Sequence, residues 1–432
     1  MVPFGVLLLS IAVFPMVNVH FWEHHFPDVA FGLGGIVAGY YLIAFGEYGR
    51  LALAHVALEY FQFIALIGSL YIVSGGILID LSGTGRPALN VAILAFGAAI
   101  ANLVGTTGAS ALLIRPFLRV NRSRIQPFHV IFFIFIVSNC GGCLTPIGDP
   151  PLFLGFLKGV PFDWPLLHLW PMWLFVNGAL LAAFLLLDRR LPPVSGGEQT
   201  RLKFQFHGKR QLAILGAIVA SVLLDAVLKE KFMLHSFPFG AVIQVVLATF
   251  AYWTARPDVL QRNEFSFAPV REVALLFVGI FLTMIPALAY LERNADRLGI
   301  ETPTGFYFAT GLLSAVLDNA PTYLSILQLD FGLLNLKLDS AGMQSYLRDA
   351  FTLHGGTPAE VAVQGARHLA AISQGAVFFG AVTYIGNGPN FMVKAIAESS
   401  GVRMPSFFGY LKYSIPILLA ILILNWALFV RN

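Results

Sequence analysis

Charge is scarce in this chain: Asp, Glu, Lys and Arg together make up 12% of its 432 residues, about half the share of a soluble domain. So few charges cannot cover the surface of globules built from that much chain, which excludes an ordinary cytosolic enzyme. Cysteine is scarcer still. Cys140 and Cys143 sit in an apolar run without the further ligands a zinc site needs, so they read as small packing residues beside a helix break. The net charge of +4 is small and falls in short polar segments, which argues against a nucleic-acid partner and for membrane orientation. A Walker pattern, a phosphate-cradling glycine loop and a coherent Ser/His/Asp order are all missing. Neither ATP-driven pumping nor hydrolysis is therefore expected, nor any bound cofactor.

Apolar side chains are abundant: 57% of the residues are hydrophobic and the mean hydropathy is +0.76, so the solvent for most of the chain is the lipid bilayer. Runs of about twenty residues, enough to cross it, are read at 2–20, 29–46, 60–81, 129–157, 163–187, 211–228, 237–255, 272–291, 368–397 and 407–430. The first lacks a basic leader and a small-residue cleavage site, so it is expected to persist as a span. Two further apolar stretches, 90–114 and 305–329, carry polar and Gly/Pro clusters in their middles. Backbone opened at that depth is tolerated only inside protein or beside water, so these are read as re-entrant hairpins. Arg115, Arg119, Arg122 and Arg124 mark one cytoplasmic segment and the basic linker 188–210 another. The acidic stretch with Asp330, Asp339 and Asp349 is placed on the opposite side.

Self-comparison adds an internal repeat. FIALIGSLYIV from Phe63 lies over ALLFVGIFLTM from Ala274 at an offset of 211. AIANLVGTTGASALLI from Ala99 lies over LLSAVLDNAPTYLSIL from Leu312 at 213, and IGDPPLFL from Ile147 over IGNGPNFM from Ile385 at 238. The three matches occur in the same order. Each half, 1–187 and 211–432, then holds five crossings, and an odd number forces the second copy to run opposite to the first. The expected fold is an all-α polytopic membrane protein, an inverted repeat of two five-span units, each with a re-entrant hairpin and a broken helix.

In such folds broken helices offer N–H groups, carbonyls and helix-end dipoles near the midplane. The four breaks supply Asn102, Thr106 and Thr107; Asn139 and Asp149; Asp318, Asn319 and Thr322; and Asn387 and Asn390. All are hard oxygen donors suited to sodium, with Asp149, Asp318 and Asn319 the expected metal-ion ligands. An acid at membrane depth is costly and usually functional. Neither aspartate has Lys or Arg at helix spacing, although Lys158 and Lys394 are near enough in sequence to reach back. A carboxyl that cannot hold a proton and a sodium ion together couples their opposite movements.

At GTTGASALLIRPFLR, SNCGGCLTPIGDPPLFLGFLKGVPF, LDNAPTYLSIL and YIGNGPNFMVKAIAE the chain resembles the ion-transporter superfamily. NhaD-type sodium/proton antiporters and citrate-transporter-like families are the most similar members. The resemblance covers nearly the whole chain from about residue 60. It implies a scaffold and a transport domain, a homodimer, and residence in the bacterial inner membrane. By the same resemblance an ion-binding role carries over to Asn102, Thr106, Thr107, Asp149, Asp318, Asn319, Thr322, Asn387 and Asn390. The first hairpin tip, Gly105-Thr106-Thr107, departs from the superfamily in having no acid, so its half contributes a carboxylate from Asp149 instead. The leading expectation is sodium/proton antiport by alternating access. The alternative is sodium-coupled transport of citrate or a dicarboxylate, with sodium ions, protons and in that case a small carboxylate as partners.

Overall fold

A computed structural model describes residues 1–192, 203–232, 237–347 and 359–431. Asp349 and linker residues 193–202 lie outside the described residues. The helices are α1 (Val2–Val17), α2 (Val19–Gly75), α3 (Pro87–Val120), α4 (Pro127–Ile136), α5 (Pro150–Leu157), α6 (Trp164–Asp188), α7 (Lys209–Lys231) and α8 (Phe239–Thr254). There follow α9 (Pro257–Arg262), α10 (Ala268–Arg293), α11 (Pro303–Val316), α12 (Asn319–Leu333), α13 (Ser340–Leu347), α14 (Ala359–Phe379), α15 (Gly388–Ser399) and α16 (Phe407–Val430). Among the described residues, five helical stretches are long and apolar enough to cross a bilayer: His24–Gly75, Pro87–Val120, Trp164–Asp188, Ala268–Arg293 and Phe407–Val430.

Two of these contain a reversal. In α2, Ala30 packs on Gly279 while the Phe63 ring lies 4.6 Å from that of Phe277, yet a straight helix would hold Ala30 and Phe63 about 50 Å apart. The chain turns back at Gly46, with φ 53° and ψ −118°, so α2 contains the two spans read at 29–46 and 60–81. In α3 the Asn90 amide donates to Asn121 Oδ1 at 2.9 Å, where a straight helix would separate them by about 46 Å. The reversal falls at Gly105, φ 77° and ψ 156°, a conformation open to glycine and strained for other residues. The second stretch, 305–329, forms α11 and α12, which pack on each other through the Leu317–Asp318 corner.

The span read at 129–157 is α4, a tight turn at Cys140–Gly142, and α5; that at 368–397 is α14 and α15. Proline explains where helix resumes. Pro150 opens α5, and Pro389 is the second residue of α15, in first-turn positions where the missing N–H costs nothing.

The all-α expectation needs one correction. The run to residue 81 does not finish as helix: Gly75 and Gly76 end it, and β1 (Leu78–Ser82) pairs antiparallel with β2 (Lys203–His207), Leu78 opposite His207. In β2, Phe204 and Phe206 alternate with Lys203, Gln205 and His207, which suits a two-stranded ribbon better than a helix face. β2 lies within the stretch read as linker.

Helices α1, α2, α7, α8 and α10 pack into one bundle, and the four breaks lie in the other, built from α3–α6, α11, α12 and α14–α16. The bundles meet where α10 crosses α12 and where α2 lies against α3 and α5.

Candidate functional site

Asp149 is the residue on which the breaks converge. It is the N-cap of α5, in extended conformation, 1% exposed, and its carboxylate bonds to no backbone N–H of its own helix. Instead Oδ1 accepts from the Thr106 hydroxyl at 2.8 Å and from Asn387 Nδ2 at 3.0 Å, while Oδ2 accepts from Asn319 Nδ2 at 2.6 Å. Thr106 follows the Gly105 reversal, Asn319 begins α12 and Asn387 is the N-cap of α15. One carboxylate therefore joins all three of the other breaks. The start of α5, α12, α15 and the second arm of α3 come together around it, each presenting the positive end of a helix.

The other site residues divide by what they touch. Asn387 Nδ2 also donates to Ser138 O and Asn139 Oδ1, both at 3.2 Å. Asn139 in turn donates to Asn390 Oδ1 at 2.8 Å, and Asn390 to the carbonyls of Gly380 and Thr383. These asparagines form a chain of amides that fixes the two broken spans against each other. Asn102 braces its own half: it donates to Gly141 O at 2.7 Å and accepts from Leu144 N at 2.8 Å. Asp318 caps α12 through Ala320 N at 3.0 Å, and Thr322 bonds back to Asp318 O at 2.8 Å. Thr107 reaches no carboxylate in this arrangement. With Thr106, Leu66, Leu70, Gly148 and Pro150 it lines a cavity of about 30 Å³, roomy enough to hold water. Asn319 Oδ1, beside Asp149, is buried without a hydrogen-bond partner among the described residues.

Neither lysine reaches back to the aspartates. Lys158 pairs with Glu59 of α2, and Lys394 with Glu398 on its own helix. The hydrogen bonds of Asp149 come only from uncharged groups.

The two halves use matching local bonds. Thr145 Oγ1 donates to Asn102 O at 2.6 Å, and Thr383 Oγ1 to Ala315 O at 2.5 Å; these pairs correspond at the offsets 238 and 213. Gly148 faces Gly142 and Gly386 faces Gly380, so closely that a Cβ would lie 2.2 Å and 2.7 Å from the opposing carbonyl oxygens. Gly148→Ala is thus expected to cost about 1–3 kcal/mol by overpacking and to displace Asp149. A lowered melting temperature in detergent together with lost flux would register it; an unchanged melting curve would contradict the close packing.

Over residues 1–430 the chain matches the family described as "Putative citrate transport". The chain belongs to this family. No curated protein matches it. Membership together with the apolar helices makes this an integral membrane protein of a transporter family.

Sequence reasoning missed two buried polar clusters. In the first, Asp188, wholly buried, accepts from Arg124 at 2.6 Å, His129 Nε2 at 3.1 Å and Asn90 Nδ2 at 2.8 Å. In the second, Asp330, also wholly buried, accepts from Tyr346 and from His368 Nδ1, the latter at 2.8 Å. Their signal was an acid near the end of an apolar run, which reads equally well as a solvated helix end.

Proposed function

We propose that this protein is a secondary active transporter that exchanges sodium for protons at Asp149 by alternating access. The observation carrying this reading is the single carboxylate held by Thr106, Asn319 and Asn387 from the three other breaks, with only uncharged donors bonded to it. Its negative charge is left for a mobile cation to compensate. Asp149, Asp318 and the unpaired Asn319 Oδ1 offer sodium hard oxygen ligands. The adjoining space is on the scale of an ion. We read the molecule as an inverted repeat with two re-entrant hairpins. The matched threonine–carbonyl bonds, the matched glycine pairs and the doubling back at Gly105 support that reading. Inner-membrane residence and a homodimer belong to the same proposal, on the resemblance alone.

Sodium-coupled transport of citrate or a dicarboxylate is the second reading, favoured by the description of the family. Four helix starts direct partial positive charge at the site. Once protons or sodium neutralise Asp149 and Asp318, the excess positive potential suits an anion without any arginine.

Proteoliposomes with a trapped pH indicator separate the two. An imposed sodium gradient is expected to move protons with no organic anion present. Sodium and proton movement appearing only with citrate would replace the exchanger by the carrier.

A further inference from the structure

The two polar clusters sit at corresponding ends of the two hairpins, and they differ in chemistry. Asn90 and Asn121, at opposite ends of α3, bond each other through both amides, and Asn90 continues to Asp188. Asp188 at the end of α6 also receives His129 of α4 and Arg124. The first hairpin is therefore held at its open end by a guanidinium–carboxylate pair, whose cation keeps its charge at any physiological pH.

The second hairpin is held by Asp330 on α12, Tyr346 on α13 and His368 on α14, with the His368 ring packed on Phe306 of α11 at 4.6 Å. No arginine or lysine bonds to Asp330 among the described residues. His368 Nδ1 faces Asp330, whereas Nε2 is buried with no partner among the described residues. His368 also lines a cavity of about 460 Å³ with Glu301, Thr302, Gln364 and Arg367. The titratable or charged groups facing the pair among the described residues are Tyr346, Glu301 and Arg367, with Glu292 of α10 nearby through Gln328. Asp330 lies about 18 Å along α12 from Asp318, so a shift at one end of this helix is delivered to the other.

We propose that Asp330 and His368 are positioning residues for the Asp318–Asn319 tip, forming a clasp that a proton on His368 tightens and its loss loosens, while the Arg124–Asp188 clasp holds the first hairpin throughout. A proton on the imidazole turns its hydrogen bond to the Asp330 carboxylate into a buried ion pair, the stronger of the two interactions. Lower pH at that face therefore fixes the second hairpin and higher pH frees it. The effect on transport rests on the function proposed above; the clasp itself does not.

Hydrogen exchange on the full-length protein in nanodiscs, corrected for intrinsic pH dependence, tests it without any transported ion. Between about pH 6 and about pH 8, across which histidine titrates, peptides from 317–333 are expected to lose about fivefold in protection. Peptides from 103–120 should not change. His368→Gln, which keeps a donor but cannot titrate, should abolish the pH response of the second hairpin and flatten the pH profile of flux. Persistence of the response in His368→Gln, or an equal response in both hairpins, overturns the clasp. Loss of the exchange response with sodium-driven proton movement intact in the wild type would leave the proposed function standing. A working clasp in a protein that moves no protons would do the reverse.

Discussion

Asp149→Asn is expected to leave the protein folded and inserted, to weaken sodium binding by about 10- to 150-fold, and to bring sodium-driven proton movement down to background. The size follows from the worth of charged hydrogen-bonding partners, about 1.5–3 kcal/mol, at about 1.4 kcal/mol per factor of ten. Folding should survive because the substitution is nearly isosteric and its neighbours can adapt. Asn319 has an unpaired Oδ1 beside the site, so turning its amide over would present an acceptor to the new NH2 group. Calorimetric titration with sodium and flux in proteoliposomes would measure the two losses. Wild-type flux in this variant would remove Asp149 from the mechanism. Asp318→Asn is a useful companion, since asparagine caps a helix about as well as aspartate. The Ala320 N–H would keep its acceptor, and any loss of flux would then report the charge and not the cap.

The largest effect on stability is expected from Asp188→Ala. Asp188 is fully buried and Arg124 is 8% exposed, so removing the acid strands a guanidinium, along with the donors of His129 and Asn90. Breaking such a pair costs about 3–5 kcal/mol, enough to lower yield and melting temperature together. Asp80 provides the contrast. It lies on β1, exposed enough for water to screen it, and bonding to Arg262, with Arg119 beside it, holds its carboxyl below the usual range. Exposed pairs of this kind are worth about 0–1 kcal/mol, so Asp80→Asn should change the melting temperature little. Equal losses from Asp188→Ala and Asp80→Asn would refute the clasp at the foot of the first hairpin.

The breaks were legible in sequence because glycine and proline leave local marks. GTTG, PIGDPP, DNAPT and IGNGP each stand inside apolar text that could not otherwise stop being helical, and the structure interrupts helix at each of them. Length and hydropathy made the spans read at 29–46, 60–81, 163–187, 272–291 and 407–430 legible, since each falls largely within a helix long and apolar enough to cross a bilayer. Which side chains would meet was not legible. Asp149 and Asn387 are 238 positions apart, and only the packing of one half on the other puts an amide beside that carboxylate. Asp330 was grouped with Asp339 in a polar stretch, yet α12 continues to Leu333 and carries it into the interior, where Tyr346 and His368 supply the hydrogens. β1 was hidden because Leu78, Ile79 and Leu81 continue the apolar run of the helix before it; Gly75, Gly76 and Asp80 are the marks that the helix has ended.

The ribbon between β1 and β2 joins two parts of the chain that are far apart in sequence. One strand is contributed by the amino-terminal portion and the other by residues just ahead of α7, paired in fixed register from Leu78 with His207. Two separately translated fragments, divided upstream of Lys203, would each carry one strand of that ribbon. Backbone pairing would then give them an address for finding each other in the correct alignment, which a greasy helix surface alone does not encode.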